Sequence, residues 1–291
     1  MRYTIQNEHL QVSVLARGAE LTSIRGADGC EYLWQGDPAY WRSQSPTIFP
    51  YVARLTEGKY TLFGRQYEMG IHGLARHFDF QPIEQSADHI VLSLTDNEET
   101  RAQYPYHFRF DVDLQLVKHA LRIRFHVYNL DTQTMYFGIG GHPGFNVPIE
   151  KDLRFEDYAL TFEQPCKPMR VGFTDRLFVS GESTPYPLEH DRVLPLRHSL
   201  FDDDAIILTD TARTVCLSSD KGTHGLRMHF DDFPIFGIWH TPKADAPFVC
   251  LEPWSSLPSR DGVIEQLDAQ KDLIAIAPNT DIALGYSVEI F

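Results

Sequence analysis

The feature that most constrains the fold is a strict alternation of apolar and polar residues through the middle of the chain. Residues 107–117 alternate almost without exception, and after a two-residue turn residues 120–129 alternate again. A period of two buries one face of a strand and leaves the other face in water. The pattern therefore predicts a long antiparallel hairpin in which Arg109, Arg122 and Arg124 occupy solvated positions.

Shorter segments of the same type continue along the chain. They lie at residues 9–15, 20–25, 135–139, 158–162, 214–218, 226–230, 236–239, 248–251 and 283–290. Residues 41–55 are aromatic and proline-punctuated and predict a packed loop, while only residues 97–103 and 262–267 favour a short helical turn. Prolines and glycines recur at the spacing of turns, and no linker divides the chain. We therefore predict an all-β protein with few short helices, folded as a single large antiparallel β-sandwich domain over residues 1–291.

Charge and composition exclude several classes of partner. The 291 residues are 43% hydrophobic and 23% charged, which is typical of a globular chain with a large core. The net charge of -14 repels phosphate backbones and anionic membrane surfaces. We therefore expect neither nucleic acid nor a membrane as a partner.

The N-terminal residues lack the apolar core of a signal peptide, and no run approaches the ~18 apolar residues of a membrane span. The four cysteines, residues 30, 166, 216 and 250, are far apart and form no Cys-x-x-Cys. This spacing supports neither a zinc site nor a dense disulfide framework. Cytoplasmic residence is the resulting expectation.

Two candidate proton-transfer residues stand directly before a proline. His142 precedes Pro143 in a glycine-rich turn, and Glu252 precedes Pro253. A proline ring forces the preceding residue into an extended conformation, so both backbones are restricted. A His and a Glu fixed in this way are what a general acid and base require, although ordinary X-Pro loop sites would look the same.

Three further loop positions carry polar chemistry. Arg54 stands in apolar surroundings, and a buried Arg needs a carboxylate, a carbonyl or a ligand as its partner. His72 lies beside a glycine, and residues 202–204 are three successive aspartates. Loops that converge on one side of a rigid sheet are where binding residues usually lie, so we predict that these positions join His142 and Glu252.

Other chemistries lack their sequence signatures. The chain has no Gly-x-Ser-x-Gly, no Walker loop and no dinucleotide fingerprint. The aspartate run lacks the glycine and distal glutamate of an EF-hand, and the loop histidines lack zinc-site spacing. A metal is therefore possible but unsupported by the sequence, and we assign no metal ligands; none of these signatures points to a cofactor.

Five segments carry a family resemblance. In chain order they are FPYVARL at residues 49–55, HGLAR at 72–76, GGHPGFN at 140–146, LFDDDA at 200–205 and FVCLEPW at 248–254. Together they resemble the aldose 1-epimerase (galactose mutarotase) family, and more closely its LacX-like branch. The resemblance implies a β-supersandwich with the sugar in an open cleft, and interconversion of the α and β anomers of a free aldose without a cofactor.

The resemblance also implies roles for individual residues. Glu252 matches the general base that takes the proton from the C1 hydroxyl, and His142 matches the general acid that protonates the ring oxygen. His72 matches a second histidine on the ring-oxygen side.

Other positions match residues that hold the sugar. Arg54 and one aspartate of the acidic turn match residues that bind hydroxyls, with Asp202 preferred and Asp204 as the alternative. Trp254, like Trp239 and Phe145 close to the same motifs, can offer an apolar platform to the sugar ring, although aromatic residues more often build the core.

Several alternatives remain open. Arg76 resembles an anion-binding arginine of hexose-6-phosphate mutarotases, with Lys59 as a further cation, and an Arg fork suits a phosphate. The central GHPGFN differs from the NHxYFN type of the better-known galactose enzymes, which leaves the sugar open. A non-catalytic sugar-binding protein is another alternative, and so is a glycoside hydrolase, which needs two carboxylates about 5–10 Å apart. We expect a small-molecule sugar as partner and a monomer or weak homodimer.

Overall fold

The computed structural model describes residues 1–291, and antiparallel strands dominate it. The first thirteen strands are β1 (Arg2–Gln6), β2 (Leu10–Leu15), β3 (Leu21–Gly26), β4 (Thr47–Ile48), β5 (Lys59–Leu62), β6 (Arg65–Glu68), β7 (Gln81–Gln85), β8 (His89–Thr95), β9 (Phe108–Val117), β10 (Ala120–Asn129), β11 (Met135–Phe137), β12 (Gly140–Gly141) and β13 (Gly144–Asn146). The others are β14 (Tyr158–Phe162), β15 (Met169–Phe173), β16 (Val179–Pro185), β17 (Val193–Pro195), β18 (Ile206–Thr209), β19 (Thr214–Ser219), β20 (Leu226–His229), β21 (Ile235–Trp239), β22 (Phe248–Trp254), β23 (Glu265–Gln266), β24 (Ile274–Ile276) and β25 (Asp281–Ile290).

Helix is confined to short segments. The single α-helix is α1 (Glu98–Gln103), and 3-10 helices occupy Thr56–Gly58, Ala75–His77, Phe155–Asp157, His198–Phe201 and Leu267–Ala269. Asn97 caps α1, since its side chain accepts a hydrogen bond from the Thr100 N–H at 3.0 Å. None of these helices has the length and apolar character needed to cross a bilayer. The predicted all-β class is confirmed.

The predicted central hairpin is confirmed. β9 and β10 pair over their whole length, and their alternate apolar side chains are buried. Arg122 and Arg124 are exposed, as predicted. Arg109 differs, because it is half-buried with its guanidinium carbon 3.8 Å from the centroid of the Tyr128 ring. An aromatic neighbour on the adjacent strand withdraws this arginine from water.

Two large sheets form the body of the fold. One has nine strands in the order β17-β14-β19-β20-β25-β10-β9-β8-β7. The other has eight, in the order β16-β15-β18-β21-β22-β12-β4, with β13 also paired to β22. The strands of both sheets contribute to one core cluster of 63 buried residues, which places this core between two packed sheets.

Strand β22 lies in the interior of the eight-stranded sheet and relates the core to the opposite face. Val249 and Leu251 belong to the main core, while Cys250, Glu252 and Trp254 alternate with them and lie on the other face. The prediction that Glu252 is a loop residue is therefore wrong. Every residue of β22 is buried, so the strand has no polar alternation that a sequence pattern could reveal.

Two other local predictions have mixed outcomes. Residues 41–55 form a packed loop as predicted, interrupted only by the two-residue strand β4. The helical turn predicted at 262–267 is wrong, because β23 pairs in parallel with β5 and the 3-10 helix begins only at Leu267. Pairing with a distant strand overrides the local preference here.

Candidate active site

A cleft of about 1050 Å³ opens on the face of the eight-stranded sheet that carries Glu252. It is lined by all eight residues predicted from the sequence: Arg54, His72, Arg76, His142, Asp202, Asp204, Glu252 and Trp254. These residues come from segments up to 200 positions apart, between 54 and 254, so only the fold brings them together. The cleft also includes side chains that the sequence did not single out, among them Trp41, Arg170 and Lys243.

The strand register places His142 directly opposite Glu252. The pairs on either side of them are Gly140 with Trp254 and Gly144 with Cys250. Pro143 and Pro253 interrupt the ladder between these pairs, because neither has an N–H to donate. The strands nevertheless stay together, since the Leu251 N–H donates to the Pro143 carbonyl at 3.1 Å. His142 and Glu252 are therefore cross-strand neighbours, and such neighbours have Cβ atoms about 5 Å apart.

Two glycines make room for the aromatic walls on both sides of His142. A Cβ on Gly140 would lie 2.9 Å from the Trp254 ring, and one on Gly144 would lie 3.1 Å from the Trp41 ring. Close approach of this kind is a usual reason for glycine in a strand. The glycine-rich turn thus lets two indoles pack around the histidine.

His142 and Glu252 form a buried pair at the floor of the cleft. His142 Nε2 lies 3.2 Å from Glu252 Oε2, and Glu252 is 1% exposed. Burial raises the pKa of Glu252 well above its ordinary value, and the nearby charge of Asp204 adds to this shift. Burial also lowers the pKa of His142 to about 3, with the charge of Arg76 acting in the same direction. Both shifts disfavour charged forms, so the pair retains one transferable proton.

His72 is held rigidly beside this pair. Its backbone has φ 63°, and its N–H donates to the Ala53 carbonyl at 2.9 Å. Its ring Nδ1 accepts a hydrogen bond from the Ala53 N–H at 3.3 Å, so the proton of the neutral ring is on Nε2. Burial, together with the positive charge of nearby groups, lowers the pKa of His72 well below its usual range. His72 is therefore a neutral donor whose ring centroid lies 5.1 Å from that of His142.

Indole rings enclose the histidine. Trp41 stacks on His142 with centroids 5.0 Å apart, and Trp239 meets the same ring edge-on at 5.8 Å. Trp254 completes the apolar wall from β22. Trp239 and Trp254 line the cleft as the sequence suggested, whereas Phe145 is fully buried in the core. Sequence reasoning missed Trp41, because a tryptophan in an irregular loop follows no period.

Comparison with known proteins identifies the family. The family model described as Aldose 1-epimerase matches residues 1–265. The chain belongs to this family. Two LacX proteins of Lactococcus lactis subsp. lactis, the chromosomal and the plasmid form, are each 38% identical over 266 residues, covering 88% of both chains. The resemblance that the five segments carry, including its LacX-like character, is confirmed.

Solved structures of similar proteins confirm the galactose mutarotase-like fold. A galactose mutarotase related enzyme from Lactobacillus acidophilus is 33% identical with a TM-score of 0.94, covering 100% of this chain and 97% of that one. A galactose mutarotase-like protein from Lactobacillus casei ATCC 334 is 30% identical with a TM-score of 0.94, covering 100% of both chains. Membership in the aldose 1-epimerase family supports an isomerase-type activity on sugars.

Within this epimerase fold the arginines lie differently from the prediction. Arg54 is exposed at the cleft, so the expectation that it is buried is wrong. Arg76 is half-buried, and its guanidinium donates to Ser43 Oγ at 3.2 Å. Neither arginine forms an ion pair with a carboxylate of the protein, which leaves both available to a ligand. Lys59 does not line the cleft and pairs with Glu57 at 3.2 Å.

The acidic turn brings three carboxylates to the cleft. Asp202, Asp203 and Asp204 all line the cleft, directly after the 3-10 helix His198–Phe201. The charge of Asp204 acts on Glu252. Burial lowers the pKa of His240 to about 4, and the charge of Asp202 partly offsets that shift. The effect of Asp204 on Glu252 supports Asp204, the alternative, over Asp202 as the substrate-binding aspartate, and this choice stays a prediction.

One group of side chains at and directly beneath the cleft wall is of metal-ligating type. It consists of His142, Cys250 and Glu252, all buried, with ligand atoms within 4.8 Å of one another. The sequence could not indicate this group, because no two of the three residues have a known metal-site spacing.

Proposed function

We propose that this protein interconverts the α and β anomers of an aldose by acid–base catalysed opening and closure of the sugar ring. The observation that carries the proposal is the buried pair in the cleft, with His142 Nε2 3.2 Å from Glu252 Oε2. Ring opening requires a base at the C1 hydroxyl and an acid at the ring oxygen. Both of these oxygens are bonded to C1, so catalytic atoms this close together can contact them at the same time.

The single transferable proton that His142 and Glu252 share suits this reaction. In the neutral pair the shared proton is on Glu252, and its transfer to His142 Nε2, 3.2 Å away, gives the carboxylate and the imidazolium that react. Glu252 then takes the proton of the C1 hydroxyl while His142 gives its proton to the ring oxygen, and the bond between C1 and the ring oxygen breaks to give the open-chain aldehyde. Rotation about the C1–C2 bond presents the other face of the aldehyde. Reclosure reverses both transfers and restores the starting protonation. No net proton enters or leaves, and one transferable proton on the pair is sufficient.

The surrounding groups position the sugar. We assign the Nε2–H of His72 to the ring-oxygen side and Asp204 and Arg54 to the hydroxyls, which their positions in the cleft lining support. Each general acid or base typically accelerates a reaction by a factor of about 10² to 10⁴, and fixed orientation of the substrate accelerates it further. This is enough for a reaction that forms no lasting bond to the enzyme.

The test is exchange between anomers in a panel of free aldoses, followed by polarimetry or by NMR exchange spectroscopy. We expect at least one aldose to exchange faster than in a buffer blank of the same pH. The replacement Glu68→Gln, on the exposed strand β6, is a matched control that should leave the rate unchanged. If no sugar exchanges faster than in the blank, the catalytic proposal is wrong and a non-catalytic sugar-binding role replaces it.

A second candidate substrate is an aldose 6-phosphate. The observation in its favour is Arg76, half-buried in the cleft wall with one hydrogen bond to Ser43 and no carboxylate partner. A planar guanidinium in that state suits a phosphate. Glucose and glucose 6-phosphate should be compared in the native protein, in Arg76→Ala and in the control Arg42→Ala, an exposed arginine outside the cleft. A preference for the phosphate that survives Arg76→Ala would exclude this role for Arg76.

A glycoside hydrolase is less well supported. That mechanism needs two carboxylates on opposite sides of a glycosidic bond. In this cleft Glu252 is paired with a histidine, and the other carboxylates that line it are Asp175 and those of the acidic turn. Release of a reducing sugar from aryl glycosides would be the observation that favours hydrolysis.

A further inference from the structure

We propose that His142, Cys250 and Glu252 form a binding site for Zn²⁺, whose occupation blocks the acid–base pair. The metal site itself stands on the three side chains. Only its inhibitory effect rests on the proposed mutarotase function. Zinc would thus act as an inhibitor here and not as a cofactor.

Geometry brings three different ligand types to one point. Cys250 and Glu252 are two residues apart on β22 and share a face of the sheet, and His142 lies across from Glu252. Their ligand atoms all lie within 4.8 Å of one another. With Zn–N, Zn–O and Zn–S bonds of about 2.0 to 2.3 Å, the ligands of a tetrahedral zinc are about 3.6 Å apart. Shifts of about 1 Å in side-chain position are sufficient to close the site.

Unsatisfied polar atoms provide a second, independent observation. His142 Nδ1 and Glu252 Oε2 are buried without a hydrogen-bond partner in the protein. The side chain of Glu252 is 2% exposed and that of His142 is 10% exposed. Buried polar atoms nearly always have a partner, and a lost partner costs about 1 to 3 kcal/mol. Glu252 Oε2 has only its 3.2 Å contact with His142 Nε2, which does not meet hydrogen-bond geometry, so a cation bound by Oε2 and one ring nitrogen of His142 would lower that cost.

The charge balance favours a divalent ion. A thiolate and a carboxylate together neutralise Zn²⁺, and the imidazole adds a neutral ligand. On binding, the Cys250 thiol and the catalytic pair each release one proton to solvent, so two protons leave as the ion enters. Asp204 adds negative charge close by, while Arg76 opposes the ion. His142 and Glu252 line the cleft, which gives the metal a route to the site and leaves its fourth position for water.

The other cysteines provide matched controls. Cys30, Cys166 and Cys216 are half-buried, and none of them belongs to a group of metal-ligating side chains. A metal response that needs Cys250 but not Cys216 would therefore identify this site and exclude general thiol binding.

The test uses Co²⁺ as a spectroscopic probe and Zn²⁺ as a competitor. We expect a cobalt–thiolate charge-transfer band in the wild type and in Cys216→Ser, lost on addition of Zn²⁺, and absent from Cys250→Ser. By calorimetry, Cys250→Ser should weaken Zn²⁺ binding by roughly 100-fold or more, since each ligand carries a share of the metal-binding free energy. Absence of the band from the wild type, or its presence in Cys250→Ser, would overturn the proposal.

Inhibition is measured separately. The mutarotation rate with Zn²⁺ is divided by the rate without Zn²⁺ for each variant. Any change in basal rate caused by the substitution then cancels. The ratio should fall in the wild type, recover with a chelator, and stay close to one in Cys250→Ser and in Cys250→Ala, with circular dichroism as the check on folding. Because the cobalt band does not depend on turnover, a protein that binds cobalt but lacks mutarotase activity would refute the proposed function and keep the metal site.

Discussion

Gly73 directly follows His72 and packs against the backbone of Phe49. The substitution Gly73→Ala tests how much this close packing contributes to stability and to the position of His72. Gly73 has φ +77°, and a Cβ there would lie 2.2 Å from the Phe49 carbonyl oxygen. The left-handed conformation alone costs an alanine about 1 to 2 kcal/mol. Relief of the clash also displaces a carbonyl that accepts hydrogen bonds from Leu74 at 2.9 Å and Ala75 at 3.1 Å, each worth about 1 kcal/mol. We expect a total loss of roughly 3 to 4 kcal/mol in the free energy of unfolding.

Urea unfolding measures this loss against two controls. Gly64→Ala has φ +76° with nothing within 4 Å of the new Cβ, so it isolates the dihedral cost of about 1 to 2 kcal/mol. Gly70→Ala has open space and no positive φ, and should change stability by less than about 0.5 kcal/mol. Gly73→Ala should also reduce mutarotation at least tenfold, because His72 moves. Equal losses in Gly73→Ala and Gly64→Ala would refute the close-packing argument.

Three other predictions concern the pair and its neighbours. Burial lowers the pKa of His142 from 6.5 to about 3, so the stability it contributes is present above pH 6.5 and is lost as pH falls toward 3. In urea unfolding, the free energy of unfolding should therefore fall by about 2 kcal/mol less in His142→Asn than in the wild type between pH 7 and pH 5. Asp204→Asn should reduce kcat/KM about tenfold and Asp202→Asn much less, and equal effects would contradict the assignment. Trp41→Leu should slow mutarotation about 3- to 10-fold more than Trp41→Phe, because only phenylalanine preserves ring stacking on His142.

The parts of the fold that could be predicted from the sequence are those in which one face of a strand is exposed to solvent. β9 and β10 alternate because their outer face meets solvent, so their pairing and their turn were visible as a pattern. β22 is buried along its whole length and offers no such pattern. Pro253 made its C-terminal part resemble a loop, yet a proline is tolerated there because the facing ladder is also interrupted, at Pro143.

The candidate site was predictable in its residue types and less so in its arrangement. Restricted X-Pro backbones and the family resemblance both pointed to His142 and Glu252, but only the register shows that they are cross-strand neighbours. The exposure of Arg54 and the stacking of Trp41 on His142 depend on loop paths that no periodicity describes. Cys250 comes within reach of His142 and Glu252 only because it shares a strand face with Glu252.

The central claim is that Glu252 and His142 exchange one proton with the sugar. Its most direct test is the rate of anomer exchange in Glu252→Gln, measured by NMR exchange spectroscopy on the best aldose from the panel. The substitution keeps the shape of a buried side chain and removes the proton-accepting carboxylate, so the fold should persist while the catalysed rate falls by about 10² to 10⁴. A folded Glu252→Gln protein that retains the wild-type exchange rate would contradict the account.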